Sequence, residues 1–140
     1  MHLSFRYVLM LLVMASGIAS HSVEAKDKVF GTGRFPQQDG ESIFKTVCQS
    51  CHMPDGNGAV GAARYPALAN NGKLKAAVYP ILVVVNGQKA MPSFGSSFDD
   101  DQVANIVNYI RSHFGNDYDD KVTAENVKSV RSVRGVEAPR

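Results

Sequence analysis

The pentapeptide Cys48-Gln49-Ser50-Cys51-His52 is the stretch of this sequence that decides the fold. Two residues separate its thiols, and an imidazole follows the second thiol directly. With this spacing each cysteine can form a thioether with one vinyl group of a haem, while the histidine is placed to bind the iron. The pentapeptide therefore predicts one covalent c-type haem, attached through Cys48 and Cys51, with His52 as an axial ligand.

Three other uses of a Cys-x-x-Cys pair stay open on the residues alone. A thioredoxin-like redox dithiol needs a βαβ context, whereas this sequence has the pattern of helices and loops. A tetrahedral zinc site needs two more ligands, and beyond the predicted export segment the chain has only His52 and His113 besides carboxylates. A structural disulfide suits an exported protein but leaves the adjacent histidine unexplained. Haem attachment uses all three side chains and is preferred.

The second axial ligand can be sought by elimination among Met53, Met91 and His113. Met53 adjoins the predicted proximal histidine and cannot reach the opposite haem face. Met91 lies in a predicted loop, where Pro92 restricts the backbone just after it. We predict Met91 as the ligand; its alternative role is to fill a gap in the core. His113 is interpreted as a surface residue and is the alternative ligand.

Hydrophobic periodicity predicts an all-α protein of short helices. Acidic residues at the start, and apolar residues repeated at intervals of three and four, indicate a helix over residues 99–114. A shorter amphipathic helix is predicted over 40–47, leading into Cys48. The apolar run 80–87 fits a helix or a strand, and residues 123–133 are a weaker helical candidate.

Long loops are predicted between these helices. Residues 54–71 and 88–98 are rich in glycine and proline and lack helical periodicity. A loop as long as the first is uncommon in a small domain unless it surrounds something that orders it. We therefore expect a small cytochrome c-like fold, in which helices and long loops wrap around one haem.

The first 25 residues are typical of a cleaved signal peptide. Residues 1–25 combine a weakly basic start, about 12 consecutive mostly apolar positions and a small-residue site ending at Ala25. Cleavage near Ser20 is an alternative, and an uncleaved anchor is disfavoured because spanning a bilayer takes roughly 20 apolar residues. We predict export to the periplasm, with no stable membrane insertion of the mature chain.

The remaining chain is predicted to form one domain with two flanking segments. An arm over 26–38 precedes the domain at 39–115, and a carboxy-terminal extension occupies 116–140. The composition, with 44% hydrophobic and 20% charged residues, is that of a soluble globular protein. A net charge of +2 without a clustered basic surface argues against nucleic-acid binding.

Residues 39–115 resemble class I cytochrome c, the small monohaem all-α family. The pentapeptide and Met91 are the specific features of this resemblance. The supporting features, in family order, are Gly40 and Phe44, Tyr65-Pro66-Ala67-Leu68, then Ile106 and Tyr109. The resemblance implies that the first and last helices cross at Gly40, with aromatic side chains packed at the contact.

The resemblance also implies two further residues around the haem. Pro66 corresponds in placement to a proline whose carbonyl accepts a hydrogen bond from the proximal imidazole, which would orient His52 and raise its basicity; its alternative role is a simple turn. Arg64 is a candidate to bind a haem propionate, and its alternative is an exposed side chain in solvent.

More narrowly, residues 90–131 resemble the haem domains of periplasmic dehydrogenase cytochrome subunits. The similarity lies in Met-Pro-Ser-Phe from Met91, Phe-Gly-Asn from Phe114 and the segment Val122–Val127. Such subunits often carry three haem domains, whereas this chain has one haem motif. The resemblance implies an electron donor of the dehydrogenase class and an acceptor such as a cytochrome or terminal oxidase.

Ligation by both His52 and Met91 would leave no open position at the iron, which indicates single-electron transfer rather than catalysis. The predicted function is a periplasmic electron carrier, or a subunit of an oxidoreductase, and not an enzyme in itself. The alternatives are a haem-based gas sensor or peroxidase-like enzyme with a displaceable Met91, and a haem-free disulfide module.

Overall fold

The structure, a computed structural model, describes residues 35–61 and 64–134. The predicted signal peptide at 1–25, with its cleavage sites, lies outside the described residues. So do residues 26–34 of the predicted arm and 135–140 of the predicted extension. The predictions for these segments stay predictions.

The described residues form four helices and only one small two-stranded sheet, which confirms the all-α class. Helix α1 covers residues 40–52, and helices α2, α3 and α4 cover Val78–Asn86, Asp100–Ser112 and Ala124–Arg134. A 3-10 turn at Gly72–Lys75 and a small antiparallel sheet, β1 (Ala59–Val60) with β2 (Arg64–Tyr65), lie between α1 and α2. The predicted long loops at 54–71 and 88–98 are present, and in the described part of the first loop, 54–61 and 64–71, the two short strands are the only regular elements.

Helix α1 continues past the predicted end at Val47 to His52, so the predicted boundary was wrong. Asp39 caps its start by accepting a hydrogen bond from the Ser42 amide at 2.8 Å. The middle of the helix, Phe44–Cys48, is a π-helical turn between α-helical Gly40–Ile43 and Gln49–His52. No residue before Pro54 interrupts the helix, and the π turn rotates the haem motif relative to the first turn.

Helix α2 forms where the sequence allowed either a helix or a strand. It begins at Val78, two residues before the predicted start. Pro80 is tolerated in the first turn because amides there have no intrahelical acceptor, so the missing N–H of proline breaks no hydrogen bond. Ile81, Val84 and Val85 are buried at helical spacing. The helix ends at Asn86, and Gly87 follows with φ at +72°, as its placement predicted.

Helices α1 and α3 cross at Gly40, as the family resemblance implied. A Cβ at residue 40 would overlap the carbonyl oxygen of Asn105 and lie 2.7 Å from the Tyr109 Cβ. Beside this contact the rings of Phe44 and Tyr109 pack at 5.6 Å, and Ile106 is buried. Close approach of the two backbones therefore depends on the missing side chain at Gly40.

Residues 116–134 pack into the same core as the rest of the described chain. Val122 and Val127 belong to the buried hydrophobic cluster, and α4 lies against α3. Asn108 of α3 fixes the segment before α4 by exchanging two hydrogen bonds with the backbone of Val122, at 2.9 and 2.8 Å. Apolar burial and backbone pairing together hold this segment in place.

Two fully buried cations also hold residues 116–134. Arg111 donates to the carbonyls of Leu74 and Lys75 at 2.9 and 3.1 Å, and it binds both the carbonyl and the carboxylate of Asp120. Arg131 of α4 is 3% exposed and binds backbone carbonyls as well. A buried guanidinium is tolerated only when its donors are satisfied, so each arginine fixes its partners.

Candidate haem site

The imidazole of His52 is held in one orientation by the carbonyl of Pro66. The two atoms, Nδ1 and the carbonyl oxygen, lie 2.9 Å apart, and the ring is 8% exposed. A carbonyl can only accept, so Nδ1 must carry the proton and Nε2 is left with a free lone pair. A backbone partner on one ring nitrogen and a free lone pair on the other is the arrangement of a metal-bound histidine.

The chain brings Pro66 back to His52 through a tight turn at Gly58. The Gly58 amide donates to the His52 carbonyl at 3.0 Å, and β1 then pairs with β2. Gly58 has φ at +67°, and a Cβ there would overlap the Tyr65 carbonyl oxygen and lie 2.8 Å from the Pro66 carbonyl carbon. Only glycine combines this dihedral angle with this approach.

Cys48 and Cys51 lie in the last turns of α1, where both are free thiols and partly buried. Burial raises the pKa of the Cys48 thiol to about 12, with a smaller effect from Cys51. The Cys48 thiol is therefore neutral, and neither cysteine is paired in a disulfide, so both sulfur atoms are available for attachment. Among the described residues no group of three or more His, Cys, Asp or Glu side chains could hold a metal ion.

Met91 lies in the loop that follows α2 and is partly buried against the core. Its amide and carbonyl exchange hydrogen bonds with Gln88 at 2.9 and 3.0 Å. A Cβ at Gly87 would lie 2.6 Å from the Met91 carbonyl oxygen and 2.8 Å from the Pro92 carbonyl carbon. The thioether thus projects from a backbone that is tightly packed on its own helix end.

Loop 88–98 is fixed further along by the carbonyls at the end of α2. The Ser93 hydroxyl donates to the Val85 carbonyl at 2.6 Å, the Phe94 amide to Val84 at 3.0 Å and the Gly95 amide to Val85 at 3.1 Å. The last carbonyls of a helix lack intrahelical donors, so the loop supplies the hydrogen-bond donors for the carbonyls at the end of α2. The Met91 loop is consequently ordered.

The other two predicted site residues, Arg64 and His113, are both exposed. Arg64 is exposed in β2, where it pairs with Val60. His113 is exposed, as expected of a surface residue; its Nδ1 lies 2.9 Å from the Tyr109 carbonyl oxygen and its ring stacks on Tyr109 at 4.1 Å.

Sequence reasoning missed two residues that hold the loops of the site. Asn116 is buried and binds the Asn71 amide and the Leu68 carbonyl, both in the loop that carries Pro66. Arg131 binds the end of the Met91 loop. Arg131 could have been found, because it stands four residues after Val127 on the apolar face of a helix, where a charge is unusual; Asn116 carries no such signal.

Comparisons with known proteins identify cytochromes as the relatives of this chain. A family model described as "Cytochrome C oxidase, cbb3-type, subunit III" matches residues 36–110. The fructose dehydrogenase cytochrome subunit of Gluconobacter japonicus is 37% identical over 109 residues, which are 67% of this chain and 22% of that protein. The gluconate 2-dehydrogenase cytochrome c subunit of Pantoea cypripedii is 34% identical over 113 residues, 72% of this chain and 26% of that protein.

A second kind of relative is matched over nearly its whole length. Cytochrome c6 of Diacronema lutheri is 35% identical over 82 residues, which are 55% of this chain and 95% of that protein. The alignment thus spans nearly all of cytochrome c6 but only about a quarter of each dehydrogenase subunit.

Proposed function

This chain belongs to the cytochrome c family represented by the matching model, and from that premise we propose that it carries single electrons from a periplasmic dehydrogenase toward the respiratory chain. Membership makes haem c its covalently bound cofactor and electron transfer its general function. The periplasmic location, the donor and the acceptor are parts of the proposal. The observation that carries it is the His52–Pro66 contact beside two free thiols.

We assign the attachment of haem to Cys48 and Cys51 and the iron ligands to His52 and Met91. When bound, haem supplies an iron that alternates between the ferrous and ferric states. The Pro66 carbonyl keeps Nδ1 protonated, so His52 offers Nε2 in a fixed direction and with raised basicity. Arg64 is proposed to bind a propionate from its exposed position in β2.

Met91 determines which chemistry is open to the site. A thioether bound to the iron would leave no open position for oxygen or peroxide, and it would favour the ferrous state relative to a second imidazole. Because three hydrogen bonds hold loop 88–98 to α2, the backbone around Met91 would keep its position when the iron changes oxidation state. Little rearrangement accompanies electron exchange, as a carrier needs.

The proposed location and partners rest on other observations. The amino-terminal 25 residues have the pattern of an export signal. Among the described residues, none of the helices has both the length and the apolar character to cross a bilayer. Two relatives are named as cytochrome subunits of fructose and gluconate 2-dehydrogenases, which supports a dehydrogenase as donor. A cytochrome or terminal oxidase is the acceptor that we propose.

The test is to replace Met91 by His in the haem-loaded protein. We expect the midpoint potential to fall and the weak far-red band of a thioether–iron bond to vanish from the oxidised spectrum. Met53→Leu is the matched control, because Met53 adjoins His52 in sequence and should leave both properties unchanged. If Met91→His retains the potential and the spectrum of the wild type, Met91 is not the ligand.

The same preparations test the proposed role of the chain. Carbon monoxide should bind poorly to the reduced wild-type protein and readily to Met91→Ala, because only the variant has an open position. Ready binding to the wild type would favour a gas sensor or a peroxidase-like enzyme instead.

A further inference from the structure

We infer that Arg131 is the positioning residue for Met91: from α4 it closes the far end of loop 88–98 and thereby sets how readily Met91 leaves the iron. This inference rests on the proposed role of Met91 as a ligand. It assigns a function to the carboxy-terminal helix, whose contribution the haem motif does not explain.

The contacts of Arg131 join three separate points on the chain to α4. Its Nη1 donates to the Gly95 carbonyl at 2.5 Å and its Nη2 to the Phe98 carbonyl at 2.8 Å. Its Nε donates to Asp100 Oδ1 at 2.6 Å. A guanidinium is a rigid planar fork, so these contacts fix the positions of both carbonyls relative to the start of α3.

Gly95 is hydrogen-bonded both to the Arg131 guanidinium and to helix α2. The Gly95 amide donates to Val85 of α2, and its carbonyl accepts from Arg131 of α4. Gly95 is buried and follows Met91 by four residues. The ring of Phe94 stacks on that of Phe98 at 5.3 Å within the same segment. The backbone just beyond Met91 is therefore held between two helices.

Loss of the guanidinium would favour an open loop. The carbonyls of Gly95 and Phe98 would lose charged donors in a buried setting, and they could regain partners only by moving toward water. Such a movement would pull the loop from α2 and raise the fraction of molecules in which Met91 is detached. An external ligand binds only to that fraction, so its apparent affinity rises in proportion.

Arg111 offers a matched control within the same molecule. It is also fully buried, and it too binds backbone carbonyls and an aspartate carboxylate. Its partners are Leu74, Lys75 and Asp120, none of which belongs to loop 88–98. Removing it should lower the stability of the fold without a specific effect on Met91.

The experiment measures binding of imidazole to the oxidised, haem-loaded protein by loss of the far-red band. The variants are Arg131→Met, Arg131→Lys and Arg111→Met, and denaturant unfolding of each gives its stability. We expect Arg131→Met to bind imidazole about tenfold more tightly than the wild type. The imidazole affinity of Arg131→Lys should lie between those of the wild type and Arg131→Met, because an ammonium group cannot bridge all three partners. Arg111→Met should stay near the wild-type affinity.

Each outcome has a defined meaning. Equal tightening in Arg131→Met and Arg111→Met at equal stability would overturn the inference, as would an unchanged affinity in Arg131→Met. If Arg131→Met does not fold with haem, Arg131→Lys and Asp100→Asn make the same comparison. A wild-type protein without the far-red band, together with a Met91→Ala variant of unchanged spectrum, would overturn the ligation by Met91 and this inference with it.

Discussion

The His52 side and the Met91 side of the site differ in how far along the chain their supports lie. His52 is fixed by Pro66, fourteen residues away, through a turn at Gly58. The Met91 loop is fixed from α2 on one side and from Arg131, thirty-six residues after Gly95, on the other. Local supports can be recognised in the sequence, whereas supports that cross the fold appear only when it is assembled.

The largest effect is expected from Gly58→Ala, which breaks the local support of His52. The new Cβ overlaps the Tyr65 carbonyl oxygen, and φ at +67° is strained for alanine. Overpacking and backbone strain together should lower the free energy of unfolding by about 3 kcal/mol. Guanidinium unfolding of the haem-loaded protein measures this loss.

Gly61→Ala is the matched control for this change. Gly61 belongs to the same turn region, and a Cβ there meets nothing within 4 Å. Its unfolding midpoint should stay near that of the wild type. If both variants lose the same stability, the close approach at Gly58 is not what supports Pro66.

The next effect tests whether the His52 side is purely local. Asn116 donates to the Leu68 and Ile110 carbonyls, both at 2.8 Å, and accepts from the Asn71 amide at 2.9 Å. Asn116→Ala leaves these buried groups without partners, so we expect a loss of about 2 kcal/mol in the free energy of unfolding.

Asn57→Ala serves as the comparison for Asn116, because Asn57 is exposed and its side chain donates to the nearby Asp55 rather than to a distant segment of the described chain. Hydrogen exchange of the amides of residues 68–71 should accelerate in Asn116→Ala and not in Asn57→Ala. Unchanged exchange in Asn116→Ala would mean that the loop carrying Pro66 needs no support from beyond α3.

The haem motif and the all-α class could be predicted because each depends on residue types at a fixed spacing, and the crossing at Gly40 was implied by the family resemblance. The end of α1 could not, since no glycine or proline separates Val47 from His52 and the π turn leaves no mark in the sequence. The strand alternative for 80–87 was wrong because burial of one helical face outweighed the β-branched composition.

Arg111 and Arg131 are the clearest case of a signal that was present but not used. Arg111 follows Val107 by four residues and Arg131 follows Val127 by four, so helical spacing alone puts both on apolar faces. The sequence cannot say which carbonyls they bind, because Leu74 and Gly95 meet them only through the fold. A charged residue on the apolar face of a helix thus predicts a long-range contact, but it does not identify the residue that is bound.

The smallest expected effect is the loss of stability at low pH when Asp39, the residue that caps the start of α1, is protonated. The backbone amide of Ser42, its hydrogen-bond partner, lowers the pKa of Asp39 below its ordinary value. A carboxyl whose pKa is lower in the folded than in the unfolded chain stabilises the fold above its unfolded pKa, and this contribution disappears as the pH falls through the folded value. The pH window therefore lies below about pH 4.

Asp39→Asn isolates this contribution, since asparagine caps a helix about as well as aspartate but does not titrate. At neutral pH the variant should unfold near the wild-type urea midpoint, and from about pH 5 to about pH 3 its midpoint should fall less steeply. Asp39→Ala, which has neither cap nor charge, should be weaker at both ends of this range. If the urea midpoint falls equally with pH in all three proteins, acid does not destabilise the fold through the Asp39 cap of α1. The proposal that local contacts support the His52 side would then be contradicted at the start of the helix that carries His52.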